Sequence, residues 1–188
     1  MGHLKAYYEQ FIRLHATDWQ LISGLFEPVY IRKKSIVTYM GSVEQYLYFI
    51  EHGIIRYYVP EEDGETTFAF CFEKSFAGAY DSLVSRTPAA YQVAALSDTA
   101  AWRISYENLQ RMYTETAVGN TLGRLIAEKL YSSKIKRELS LLRYTATERY
   151  RRLFSEQPEL ISQIPGKYIA SYIGVTPQAL SRIRRQIN

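Results

Sequence analysis

A chain of 188 residues, 47% of them apolar, suits one large domain or two small ones and has ample material for a core. It holds no run of about 18 uncharged apolar residues for a membrane span, no basic start with an apolar run for a secretory signal, and only Cys71 as a thiol. That excludes an internal disulfide and a multi-cysteine metal site, and makes the cytoplasm the expected residence. The net charge of +4 is split: residues 1–116 carry 10 Lys and Arg against 14 Asp and Glu, and residues 117–188 carry 13 against 5.

Residues 4–13 read as a helix with Leu4, Tyr7, Tyr8, Phe11 and Ile12 apolar, and a second helix follows from Thr17, its expected cap, through Leu25. From Pro28 to about Trp102 the texture changes. Short runs rich in Val, Ile, Tyr and Phe alternate with turn signals, which predicts about eight strands in an antiparallel sandwich or barrel. Residues 59–68 are the clearest hairpin, with the turn expected at Asp63-Gly64. Gly41 and His52-Gly53 mark further turns.

On composition alone a cupin-type barrel is the alternative for this region. Such an enzyme would need clustered metal ligands. The histidines are His3, His15 and His52, with no His-x-His pair, so no metal site is expected. No nucleophile elbow, Walker loop or catalytic carboxylate pair is present either, and the chain does not read as an enzyme.

From Ser105 the period becomes helical. A short segment over 105–113 precedes a main helix from about Thr116 to Leu142. Val118, Leu122, Leu125, Ile126 and Leu130 form its apolar stripe, and Gly119, Gly123 and Ala127 repeat every four residues beside it. Small residues at that spacing allow close helix–helix approach, and a helix this long seldom stays alone in solution. Thr145 and Glu148 read as a capping box opening a helix through Phe154, with Tyr150, Leu153 and Phe154 toward the core and Arg149, Arg151 and Arg152 outward. A domain boundary is therefore expected near 142–145.

Residues 167–185 read as two short helices around a tight turn. Ile169, Ala170 and Ile173 are the apolar positions of the first; Gly174 ends it, as a glycine free to take positive φ should. Thr176 can cap the second helix and Pro177 occupies its first position. There Leu180, Ile183 and Ile187 make a buried stripe, while Gln178, Ser181, Arg182 and Arg185 share the opposite face. A short helix presenting an amide, a hydroxyl and two guanidiniums, with no acid, suits the DNA major groove. No acid follows Glu159, so the basic back half is the part expected to meet a polyanion.

The sequence Ala170-Ser-Tyr-Ile-Gly-Val-Thr176 followed by Ser181-Arg-Ile-Arg184 resembles the helix-turn-helix of the Crp/Fnr family of transcription regulators. The resemblance extends, by order of elements, over nearly the whole chain. It implies an α+β architecture: an N-terminal cyclic-nucleotide-binding-like antiparallel jelly roll over 1–115, a dimerisation helix over 116–143, and an all-α helix-turn-helix domain over 144–188. It implies double-stranded DNA as partner, read as a pseudo-palindrome by a homodimer whose seam would hold Leu122, Ile126 and Leu130, with RNA polymerase a further partner. The sequence reaches Asn188 three residues after Arg185, so the β-hairpin wing usual in the family is not expected here. Phosphate contacts are then expected from Lys167, Tyr168, Thr176, Arg184 and the 149–152 helix.

Family members that bind cyclic AMP carry a Gly-Glu pair for the ribose and an Arg-Ser or Arg-Thr pair for the phosphate. Here Gly78 is kept, Ala79 replaces the glutamate, and Ala89-Ala90 stands at the phosphate pair. Cyclic nucleotide is therefore not the expected effector. The roll would take an unidentified apolar or aromatic small molecule, lined by Phe76, Gly78, Tyr80, Leu83, Tyr91 and Val93, or none; no cofactor is expected. One thiol cannot hold an iron–sulfur cluster, which needs about four. The competing reading is a dimeric small-molecule-binding roll that acts through protein partners without binding DNA.

Overall fold

The computed structural model describes Met1–Ile187; Asn188 lies outside the described residues. Two helices, α1 (Gly2–Glu9) and α2 (Ala16–Gly24), precede the strands β1 (Glu27–Ile31), β2 (Ile36–Thr38), β3 (Tyr46–His52), β4 (Ile55–Glu61), β5 (Gly64–Cys71) and β6 (Ser75–Ala77). After a short helix, α3 (Tyr80–Ser85), come β7 (Gln92–Ala95) and β8 (Thr99–Ser105). The rest is helical: α4 (Tyr106–Glu115), α5 (Gly119–Arg143), α6 (Ala146–Glu156), α7 (Pro158–Gln163), α8 (Gly166–Tyr172) and α9 (Pro177–Ile187).

The eight strands form two four-stranded sheets, ordered β1-β8-β3-β6 and β2-β7-β4-β5, with every strand's sheet neighbours distant in sequence except β4 and β5. This is the jelly-roll arrangement that the family resemblance implies, and it fits the antiparallel sandwich or barrel expected from the strand texture. Phe49 on β3 stands opposite Trp102 of β8 on one side and Phe76 of β6 on the other.

Two compact units divide the chain: Met1–Val59 with Ala69–Glu128, and Pro60–Phe68 with the residues from Lys129 on. The first unit has two apolar clusters. One joins Leu4, Tyr8 and Ile22 of the leading helices to Phe49, Ile104, Leu109, Met112 and Leu122; the other fills the roll with Tyr48, Ile50, Ile55, Val93 and several alanines. The period-two alternation of a strand separates them, since Phe49 points to one cluster and Tyr48 and Ile50 to the other.

Several boundaries differ from the sequence reading for local reasons. Helix α1 ends at Glu9, yet Phe11 and Ile12 still pack on the first cluster. His15, not Thr17, is the N-cap residue of α2. The hairpin turn is Glu62-Asp63, with Gly64 already in β5. Helix α5 starts at Gly119, whose N–H donates to the Thr116 hydroxyl, while Asp18 accepts from the N–H of Ala117.

Two of the small residues of α5 do allow close helix–helix approach, and the helix they admit is α4. A Cβ on Gly119 would lie 2.0 Å from the carbonyl oxygen of Met112, and one on Gly123 2.6 Å from the Tyr113 ring. Both glycines make room for α4 of the same chain.

In the second unit Tyr150, Leu153, Leu160, Ile164, Ile169, Ala170, Ile173, Leu180 and Ile183 are buried. The capping box at Thr145 and Glu148 is complete in both directions. Phe154, expected toward the core, is 58% exposed, because Tyr150 and Leu153 already supply the inward stripe of α6. Arg149, expected outward, turns in.

Candidate nucleic-acid interface and sensor roll

The turn between α8 and α9 is built by backbone bonds. Gly174 takes φ +74°; its N–H donates to the Ser171 carbonyl, and the Val175 N–H reaches the Ala170 carbonyl at 2.9 Å. These are the two bonds of a Schellman ending, which needs a left-handed residue at the glycine position. Thr176 then caps α9 by accepting the Ala179 N–H at 3.2 Å. Leu180 and Ile183 are buried beneath, which fixes the roll of α9 about its axis.

That roll leaves Gln178, Ser181, Arg182 and Arg185 exposed together. The Ser181 hydroxyl donates its proton to the Pro177 carbonyl, so its oxygen remains an acceptor. Lys167 is exposed, with its ammonium 4.8 Å from the centre of the half-buried Tyr168 ring. Arg184 is occupied otherwise: its Nε donates to the Tyr150 hydroxyl at 3.2 Å, and the side chain is half-buried. It acts as a strut between α9 and α6 rather than reaching outward for a phosphate.

Arg149 is a second strut. Its Nε and Nη2 donate to the Ile173 carbonyl at 3.0 and 2.7 Å, and its Nη1 to the Tyr144 carbonyl. Arg137 of α5 donates to the Tyr172 carbonyl and lies 3.8 Å over the Tyr172 ring. Burial draws its pKa below the usual guanidinium range, with Arg149 nearby adding to the effect. No feature of the sequence distinguishes these arginines from those on the exposed face.

On α5 the expected seam residues part company. Leu122 is fully buried in the chain's own first cluster and Ile126 packs partly against it. Leu130 is 42% exposed, but it precedes by one turn Lys134, whose ammonium sits over the Phe68 ring. The open apolar face is instead Tyr131, Ile135, Leu139 and Leu142, at i, i+4, i+8 and i+11; Tyr131 and Leu142 are its most exposed members.

In the roll, the six candidate lining residues do not converge. Phe76, Tyr80 and Leu83 belong to the first cluster with the leading helices, and Val93 and Tyr91 to the second. The period of β6 explains this, since Phe76 faces away from Ala77. The Gly78 N–H donates to the Tyr57 hydroxyl at 3.0 Å, and the Tyr91 hydroxyl donates to Asp81. Glu44, buried, accepts from the N–H groups of Gln45 and Tyr46 and from the Thr38 hydroxyl. Arg86 reaches the Glu44 carbonyl and Gln45 side chain and lies over the Tyr106 ring. Desolvation pushes the Tyr57 and Tyr91 phenols well above their usual range, and the Asp81 hydrogen bond pushes Tyr91 further.

Among the described residues no group of three or more His, Cys, Asp or Glu could hold a metal ion, and no helix is long and apolar enough to cross a membrane. Cys71 is buried, 3.0 Å from the Ser75 hydroxyl.

Residues 28–116 match the cyclic nucleotide-binding domain family. The fold, antiparallel roll, long helix and C-terminal helices in that order, is the one found in Crp/Fnr transcription regulators. A protein described as a Crp/Fnr-family regulator from Eubacterium rectale superposes with a TM-score of 0.75 at 16% identity, covering 100% of this chain and 88% of the other. The Thermus thermophilus catabolite activator protein gives 0.57 at 20% identity, covering 94% and 85%. The c-di-GMP-responsive global regulator CLP of Xanthomonas campestris gives 0.69 at 16%, covering 92% and 91%. Among curated protein sequences none matches the chain.

Proposed function

We propose that the protein is a cytoplasmic, non-enzymatic transcription regulator of the Crp/Fnr type that binds a pseudo-palindromic DNA site as a homodimer. The observation that carries this is the exposed quartet Gln178, Ser181, Arg182 and Arg185 on a helix whose axial roll is fixed by buried Leu180 and Ile183. The acid-poor composition beyond residue 116 supports it. One such helix reads few base pairs. Two on a two-fold axis read half-sites roughly 34 Å apart. The open face of Tyr131, Ile135, Leu139 and Leu142 supports pairing along α5.

The reading includes no response to cyclic AMP. Ala79 and Ala89-Ala90 offer neither a ribose acceptor nor a phosphate partner, and a cyclic phosphate out of water needs one. The Tyr57 hydroxyl also already takes the Gly78 N–H.

Fluorescence polarisation with random duplex, then with a duplex selected from a random pool, across a salt series tests the central claim. Salt-dependent binding with sequence preference is expected. A dimer with no affinity for any duplex would leave the competing sensor, acting through protein, in its place. Calorimetric titration with cyclic AMP should give no heat of binding; a micromolar affinity would refute that part alone.

A further inference from the structure

The last turn of α8 is held residue by residue from three other elements of the second unit. The Ser171 hydroxyl donates to the Glu65 carbonyl at 2.9 Å and accepts the Thr67 N–H at 2.7 Å. Glu65 and Thr67 are two apart on β5, an edge strand, whose outward N–H and C=O groups alternate in that way. One serine therefore closes two open ladder positions, and Thr67 is only 2% exposed. The next carbonyl, Tyr172, is taken by Arg137 of α5, and the one after it, Ile173, by Arg149 of α6.

These carbonyls are the ones a helix end leaves without intrahelical partners, and cations there are favoured by the helix dipole. Helix α9 starts four residues after Ile173, behind a turn with its own fixed bonds. Turning α8 about its axis would break all three attachments and swing α9 with it.

The two arginines have different duties. Arg149 ties α8 to α6, both inside the helix-turn-helix domain. Arg137 ties α8 to α5, the helix whose open apolar face is the proposed seam. In a two-fold dimer paired along α5, the Arg137 contact on each side sets one reader relative to the other. On the basis of the regulator reading above, we propose that Arg137 is a positioning residue for DNA recognition: it fixes the presentation of α9 relative to the dimer axis, and so the half-site spacing the dimer accepts, without touching DNA.

The test measures affinity for the selected site and for versions with the half-site spacing changed by one and two base pairs. Wild type should discriminate sharply. Arg137→Met should remain a folded dimer, by circular dichroism and sedimentation, and lose spacing discrimination by about two- to thirty-fold, the range of a coupling residue. Its log-affinity against log-salt slope should stay unchanged, whereas a lost phosphate contact reduces it by about one. Arg137→Lys, able to donate one hydrogen bond, should recover part of the discrimination.

Unchanged spacing preference in a folded dimeric Arg137→Met would overturn the proposal, as would a reduced salt slope with the preference intact. Where Arg137→Met does not fold, Ser171→Ala carries the same test, because it loosens the same turn from the hairpin side. If the wild type binds no duplex, the regulator reading fails, and this inference with it. That result is recognisable because no variant is needed to obtain it.

Discussion

At the residue scale, arginine serves both the proposed reading face and the struts behind it. Arg182 and Arg185 are exposed on α9, while Arg184 between them turns back to Tyr150. Arg182→Ala should lower specific DNA affinity by about 1–3 kcal/mol, the worth of a bidentate guanine contact, with an unchanged melting temperature. Arg184→Ala should do the reverse, lowering the melting temperature while leaving the salt slope of DNA binding alone. Equal behaviour of the two variants in both assays would remove the distinction. The exposed quartet was legible in the sequence because burial on a helix follows the 3.6-residue period, and Leu180 and Ile183 set its phase. The struts were not legible. Arg149 reaches a carbonyl 24 residues away, and no local period encodes a partner so distant. Ser171 and Arg137 were missed for the same reason, and the expectation that Arg149 faced outward rested on treating a long flexible side chain as if its Cα direction decided its contacts.

At the element scale, the strands of the roll were readable from their alternation, and the turn between α8 and α9 from Gly174 and the Thr176 cap. The assignment of faces on α5 was less so, because two apolar stripes lie on one helix. Leu122 and Ile126 continue the stripe that faces the chain's own core, and the glycines beside them admit α4. Hydrophobic periodicity says that a face is buried, not by what. This divides two experiments that the sequence would merge. Leu122→Ala removes a fully buried side chain and should cost about 2–5 kcal/mol of folding stability, read by urea denaturation. Tyr131→Asp or Leu142→Asp leaves the folded chain intact, since both positions are open, but puts a charge into the proposed seam, where burial without a partner costs several kcal/mol. Sedimentation should show a monomer, and specific DNA binding should be lost with the dimer. A dimer undisturbed by either aspartate would move the two-fold axis off this face.

At the scale of the whole molecule, the chain combines a basic back half with a front half rich in tyrosine: 12 of the 17 tyrosines lie in residues 1–116. Many of these rings are core material. Burial raises the phenol pKa of Tyr8, Tyr48, Tyr57, Tyr91 and Tyr113, with Asp81 adding to the rise at Tyr91 and Tyr80 at Tyr113. A group whose folded-state pKa exceeds its unfolded value favours the folded state fully below the unfolded value and loses that contribution as pH climbs toward the folded one. For tyrosine the unfolded value is about 10. The contribution of these five rings is therefore complete at neutral pH and should decline only in alkali, when unfolding releases phenols that then ionise. The first unit holds all five, so its β-sheet signal should be the one that fails. Stability in urea should be flat with respect to these groups below about pH 9 and fall with increasing slope above about pH 10. The tyrosinate absorbance of the buried rings should rise together with the loss of sheet ellipticity rather than ahead of it. Complete ionisation of all the tyrosines while the sheet signal persists would show that water reaches these hydroxyls in the folded roll. It would also remove the Tyr57 hydroxyl as the fixed partner of Gly78, and with it part of the case that the roll keeps cyclic nucleotide out.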